Sequence, residues 1–253
     1  MKLTRTLGIS VAAAAVLVSG CTSTVEGRAQ DDGKGCKISR VTMQCYDPSE
    51  IDPAATTSPA PTPQSNPIPA GTDGVKACDG SKCTFTAADD EISRLVSESL
   101  TDVAHMWSNL NVLITLTMYK GGIGKCDGDG DETATAWVCP STQRGGWSPA
   151  AVRNRAAEKG TTISDTVRSI VAHEMGHMAA AKFGVSSDDF VTNELRADCF
   201  AAGYSRWTMK TTDSAMGQLP VETMKRVLAG PRRNAAIDAG YNGTPKTCSE
   251  YTP

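Results

Sequence analysis

Histidine is scarce in this chain. Only 3 of its 253 residues are histidine, namely His105, His173 and His177, so few positions can supply an imidazole. Excess charge is missing too. A formal net charge of −3 is too mild to draw the chain to nucleic acid or to a strongly charged partner. No apolar run reaches the ~20 residues that a membrane-spanning helix needs. Cysteines spaced C-x-x-C, the usual mark of a structural zinc site, do not occur. No internal repeat is visible.

What is present begins with an export pattern. Met1 to Arg5 is short and basic, and Leu7 to Val18 is apolar and small. That order marks residues 1–20 as a secretory signal rather than part of the fold. The segment closes on Leu17-Val18-Ser19-Gly20-Cys21. This resembles the lipobox of bacterial lipoproteins, an aliphatic residue and two small ones before a cysteine. The resemblance implies cleavage before Cys21, acylation of its sulfur, and a mature N-terminus held on a membrane at the outer face of a bacterial cell envelope. Two or more acyl chains are what make such an anchor stable.

Setting Cys21 aside leaves eight cysteines: Cys36, Cys45, Cys78, Cys83, Cys126, Cys139, Cys199 and Cys248. An even set in an exported chain points to disulfides. The simplest pairing is sequential, Cys36 with Cys45, Cys78 with Cys83, Cys126 with Cys139, and Cys199 with Cys248.

Residues 21–84 read as a tether. Pro48, Pro53, Pro59, Pro61, Pro63, Pro67 and Pro69 make up seven of the 13 prolines and are mixed with Thr, Ser and Ala. Such a stretch buries no core and favours extended polyproline II conformation, so it can hold a domain on the order of 100 Å from a membrane. The domain is expected over 85–253. Thr86 to Asp89 has the form of a helix cap, and Ile92, Leu95, Val96, Leu100, Val103, Met106 and Trp107 follow at helical spacing. Asn111 to Tyr119 alternates as a strand, with Val112, Ile114, Leu116 and Met118 on one face. Residues 121–148 read mainly as loop, with a short strand at Thr135 to Val138. Within that loop, Asp127-Gly128-Asp129-Gly130-Asp131 fails the EF-hand pattern. Glu132 stands at the glycine position and Val138 at the last ligand position, so a solvated acidic loop is favoured over a calcium site.

The chemistry is concentrated further on. Thr162 to Asp165 is a second capping signal, and Ile163, Val167, Ile170, Val171, Met175 and Met178 form a helical apolar stripe that ends before Gly184. His173 and His177 therefore lie one helical turn apart on one face, where two imidazoles can bind one metal ion. Glu174 follows the first histidine, within reach of water activated at that metal. Alone, His-Glu-x-x-His is a common short pattern. After it comes Asn193-Glu194-Leu195-Arg196-Ala197-Asp198. Glu194 and Asp198 also share a helical face. Glu194 completes a two-histidine, one-carboxylate ligand set with a fourth position left open. Asp198 is placed to accept the distal N–H of a ligand histidine, His173 in the first instance, and so to fix its tautomer.

His105 stands alone in an earlier helix and reads as structural. Cys199 points about 140° away from Glu194 around its helix, which suits a disulfide to Cys248 rather than a metal. Ala180 and Phe183 occupy the places of the metzincin glycine and third histidine, which excludes that pattern.

The combination His173-Glu174-x-x-His177 with Asn193-Glu194-x-x-x-Asp198 resembles the gluzincin clan. The stretch Glu194 to Gly203, Val138-Cys139-Pro140 upstream, and a tail with Arg232-Arg233, Gly240-Tyr241 and Cys248 are similar to bacterial neutral zinc metallopeptidases. The likeness covers residues 85 to 250. Where the pattern usually continues with another histidine, this chain has Met178. The resemblance implies an α+β, zincin-like fold, mainly helical with a small sheet beside the active-site helix. It also implies one catalytic Zn2+, peptide or protein substrates, and Glu174 as general base. An oxyanion donor is expected among Tyr204, Tyr241, Arg196 and backbone amides, and the strand at 111–119 is expected to pair with substrate. Two alternatives fit the same motifs, a non-catalytic zincin-like binding lipoprotein and a zinc hydrolase of non-peptide cell-wall amides.

Overall fold

A computed structural model describes residues 72–121, 126, 134–187 and 189–253, and the backbone of two short paired strands, β1 (Lys37–Ile38) and β2 (Cys45–Tyr46). The signal segment 1–20, Cys21, the Cys36–Cys45 pairing and the acidic loop at 127–131 lie outside the described residues.

The fold is α+β and mainly helical. Four strands form a mixed sheet: β3 (Val75–Cys78), β4 (Leu116–Lys120), β5 (Ala136–Cys139) and β6 (Arg144–Trp147), in the order β3-β4-β6-β5. β3 and β6 run parallel to β4, and β5 runs antiparallel to β6. Seven helices accompany the sheet among the described residues: α1 (Glu91–Asn109), α2 (Pro149–Lys159), α3 (Ile163–Lys182), α4 (Phe190–Lys210), α5 (Val221–Leu228), α6 (Pro231–Asn242) and α7 (Pro245–Ser249).

Local chemistry sets the long elements. Asp90 caps α1 by accepting from the Ser93 amide at 3.1 Å, and Ile92, Leu95, Val96, Leu100, Val103, Met106 and Trp107 are buried along one stripe. The Thr86–Asp89 signal makes a capped turn of its own just ahead, where the Thr86 amide donates to Asp89 Oδ2 at 2.6 Å. α3 starts at Thr162, whose hydroxyl accepts from the Asp165 amide at 3.0 Å, and ends ahead of Gly184 in the left-handed region (φ 65°). Its apolar positions are buried along nearly the whole length, which makes it the central helix, packed by α1, α2, α4 and α5.

The sheet departs from expectation in three places. β3 falls inside the 21–84 stretch read as tether, so the folded part takes in residues ahead of 85. Gly74 permits this, because a Cβ there would sit 2.7 Å from the Ile114 carbonyl. Second, Arg144–Trp147 is a strand, not loop. Its two glycines let it lie between neighbours, since a Cβ on Gly146 would meet Trp137 Nε1 at 2.6 Å and the Tyr119 carbonyl at 2.8 Å. Third, the strand expected at 111–119 begins only at Leu116, although Ile114, Leu116 and Met118 are buried as its alternation requires. β4 also hydrogen-bonds a strand on each side, so its edges are already paired. The expectation that it pairs with substrate is therefore withdrawn. β5, at the end of the sheet, is the strand that lies beside α3.

Three disulfides follow the sequential pairing: Cys78–Cys83, Cys126–Cys139 and Cys199–Cys248. Among the described residues no helix is long and apolar enough to cross a membrane.

Candidate metal centre

The centre forms where α3 and α4 touch. Their spacing is set by residues with little or no side chain. Gly176, inside the His-Glu-x-x-His stretch, faces Ala197, and a Cβ at Gly176 would overlap the Ala197 carbonyl. Glu194 and Asp198, one turn apart on α4, are thereby pressed against His173 and His177, one turn apart on α3. Asp189 caps α4 through the Thr192 amide at 2.9 Å, which fixes the helix start four residues before Asn193 and five before Glu194.

Ligand-type atoms of three residues converge. His173 Nε2 lies 3.2 Å from His177 Nε2 and 3.3 Å from Glu194 Oε2, and His177 Nε2 lies 3.2 Å from Glu194 Oε1. A zinc ion held by nitrogen and oxygen at about 2.0–2.1 Å in a tetrahedron would set its ligands roughly 3.3 Å apart. The pair of imidazole nitrogens already has that spacing, and each imidazole meets one oxygen of the Glu194 carboxylate at it, His173 at Oε2 and His177 at Oε1. Among the described residues, His173, His177 and Glu194 are the one group of this kind that could hold a metal ion. The His173 side chain is 8% exposed, whereas His177 and Glu194 are 19% and 25% exposed, so the centre opens on their side.

No family model, curated protein or solved structure matches this chain. The functional interpretation therefore rests on the atoms of the centre and on their neighbours.

Those neighbours supply orientation. His173 Nδ1 donates to Asp198 Oδ1 at 2.8 Å, and Asp198 is fully buried. With its proton on Nδ1, the ring aims the lone pair of Nε2 at the centre. Burial opposes charge on His173, but Asp198 and then Glu194 outweigh it and push its pKa up to about 10 in the metal-free fold. Burial likewise works against charge on Glu194, yet hydrogen bonds from the His173 and His177 rings hold its carboxyl well below the usual range. Glu174 is buried beside them. Burial raises its proton affinity, tempered by the two imidazoles. A carboxyl with its proton affinity raised in this way is suited to accepting a proton from water.

The other expected residues separate cleanly. His105 packs edge-on against Trp207 at 5.6 Å between ring centroids, apart from the metal-type cluster. Cys199 is bonded to Cys248. Of the expected oxyanion donors, Tyr204 is fully buried and donates to Asp102 Oδ2 at 2.6 Å. Arg196 is spent on the backbone carbonyls of Tyr251 and Val185, at 3.1 and 2.6 Å. Both are withdrawn as oxyanion donors, because their polar atoms are committed elsewhere in the fold. Tyr241 is a partly buried residue of α6 that packs against the core.

One contributor went unassigned in the sequence. Arg233, at the start of α6, reaches Asp198 with Nε on Oδ2 and Nη2 on Oδ1, each at 2.7 Å. Its Nη1 lies 3.9 Å from Glu194 Oε2. Arg232-Arg233 stood out only as part of a family-like tail, and no spacing links either residue to Asp198.

Proposed function

We propose that the chain is a zinc metallopeptidase of zincin-like fold, in which His173, His177 and Glu194 hold one zinc ion and Glu174 is the general base. The observation that carries this is the convergence of two imidazole nitrogens and one carboxylate at zinc-like spacing, with a buried carboxyl, Glu174, close enough to feel the charge of all three. Two imidazoles and one carboxylate are the donor set of a catalytic rather than a structural zinc, since the fourth position stays open. When bound, zinc supplies Lewis acidity, lowering the pKa of water and polarising a carbonyl. Glu174 accepts the proton of the attacking water at its carboxylate and passes it to the departing amine. Asp198 keeps His173 in the Nδ1–H tautomer throughout. Burial of Glu174 favours this work over passive binding, because a binding protein has no use for a buried base beside its metal. The signal segment and Cys21 extend the proposal to an envelope lipoprotein that acts on peptide or protein substrates outside the cell.

The test compares wild type with Glu174→Gln, both zinc-loaded, on a mixed peptide library. The amide keeps the shape and removes the base, and loss of a general base costs about 100- to 10,000-fold in rate. Equal cleavage by both proteins, or none by either, would sink the peptidase mechanism.

A further inference from the structure

The motif that marks the centre ends at Asp198, yet the centre does not. We infer that Arg233 is a positioning residue of the metal site, acting through Asp198. The inference rests on the zinc reading above.

Three observations support it. The first is the fork. Arg233 holds both oxygens of Asp198 at 2.7 Å, and Oδ1 is the same oxygen that accepts from His173 Nδ1. A carboxylate held at one oxygen can still rotate about its Cβ–Cγ bond. Held at both, it presents Oδ1 to the imidazole in one direction, and the ring follows.

The second is charge. Three carboxylates meet here, the buried Glu174 and Asp198 and the partly exposed Glu194, and among the described residues the guanidinium of Arg233 is the arginine or lysine group that pairs with Glu194 and Asp198. One guanidinium and one divalent ion balance three carboxylates. Without Arg233 the loaded site would keep an uncompensated buried charge.

The third is how Arg233 is delivered. α6 lies against α4 at Gly240, where a Cβ would overlap the Cys199 carbonyl, one residue from Asp198. Pro231 starts α6 after Gly230, whose φ of 138° few other residues adopt. The turn and the close helix contact together fix where Arg233 points. The site is thus built from α3, α4 and α6, and its last part arrives far along the chain from the first.

The full chain is compared as wild type, Arg233→Met, Arg233→Lys and the exposed-neighbour control Arg232→Met. Zinc affinity is read by competition with a chelator of known affinity. Thermal melts in EDTA report folding, and kcat and KM are read on a peptide substrate. Loss of an outer partner of a zinc ligand costs about 10- to 100-fold in metal affinity. That loss is expected for Arg233→Met. Arg233→Lys should lose most of it too, since an ammonium cannot grip both oxygens. Arg232→Met should bind as wild type, and kcat should fall at Arg233 with little change in KM. Wild-type affinity in Arg233→Met, or full rescue by Arg233→Lys, overturns the inference. If Arg233→Met does not fold, Arg233→Lys decides alone. Affinity is read without turnover, so a wild type that binds zinc but cleaves nothing removes the peptidase reading and leaves Arg233 standing. A wild type that binds no zinc removes both.

Discussion

Two buried polar clusters sit between the helices, and they differ in one respect. In the first, Arg168 on α3 donates to the hydroxyl of Tyr204 and to the carbonyls of Gly217 and Gln218. Tyr204 and Ser214 donate to Asp102, and the Ala215 amide completes the set at 2.8 Å. Every charge there meets a partner of opposite kind, and the result straps the segment after α4 onto α1 and α3. In the second cluster, two imidazole nitrogens and a carboxylate turn towards one point and face each other at 3.2–3.3 Å. A cluster whose donors and acceptors cancel is a strut. A cluster whose members can all turn acceptors to one point, once the ring protons leave, is built to receive a cation.

That contrast can be broken from either side. The largest effect is expected from His177→Ala, which removes one of the three ligand residues. Zinc should no longer survive dialysis, read by metal analysis of the folded protein, and zinc retained at full stoichiometry refutes the ligand assignment. Next comes Gly240→Ala, which forces a methyl into the Cys199 carbonyl. Overpacking of this kind costs about 1–3 kcal/mol, visible in chemical denaturation, and zinc affinity should weaken with it because α6 carries Arg233. Tyr204→Phe tests the strut. It leaves Arg168 and Asp102 short of a buried partner, so stability should drop by roughly 1–3 kcal/mol while kcat of the zinc-loaded enzyme stays put. A large fall in kcat at full zinc loading would return Tyr204 to the list of oxyanion donors.

The smallest effect is graded. His173 in the metal-free fold has its pKa raised to about 10, so at neutral pH the ring is protonated. Zinc must displace that proton, and affinity should fall about tenfold for each pH unit lost across the neutral range. The sign for stability is the reverse. The charged ring stabilises the metal-free fold fully below its unfolded pKa of about 6.5, and that contribution disappears as pH rises through the folded value. Melting temperatures with and without zinc should therefore diverge as pH increases, and parallel curves would contradict this.

How much of this could be read from the sequence follows the range of the interactions. α3 announces itself because its cap, its stripe and its histidines all repeat within a turn or two. Glu194 and Asp198 are legible for the same reason, four residues apart on one helix. β6 is not, since Arg144-Gly145-Gly146-Trp147 looks like a turn until Tyr119 and Trp137 are placed on its two sides. β3 is too short to show a period, and β4 gave no sign that both its edges are taken. Arg233 is the sharpest case. Its partner lies on another helix, and the packing of α6 on α4, closest at Gly240 and Cys199, brings the two together.

Gly176 carries a last consequence. It occupies one of the two positions that the His-Glu-x-x-His pattern leaves blank, yet any side chain there would push α4, and Glu194 with it, away from the histidines. Grafting this centre onto another helical scaffold therefore means transplanting a distance between two helix axes, with the five letters following from it.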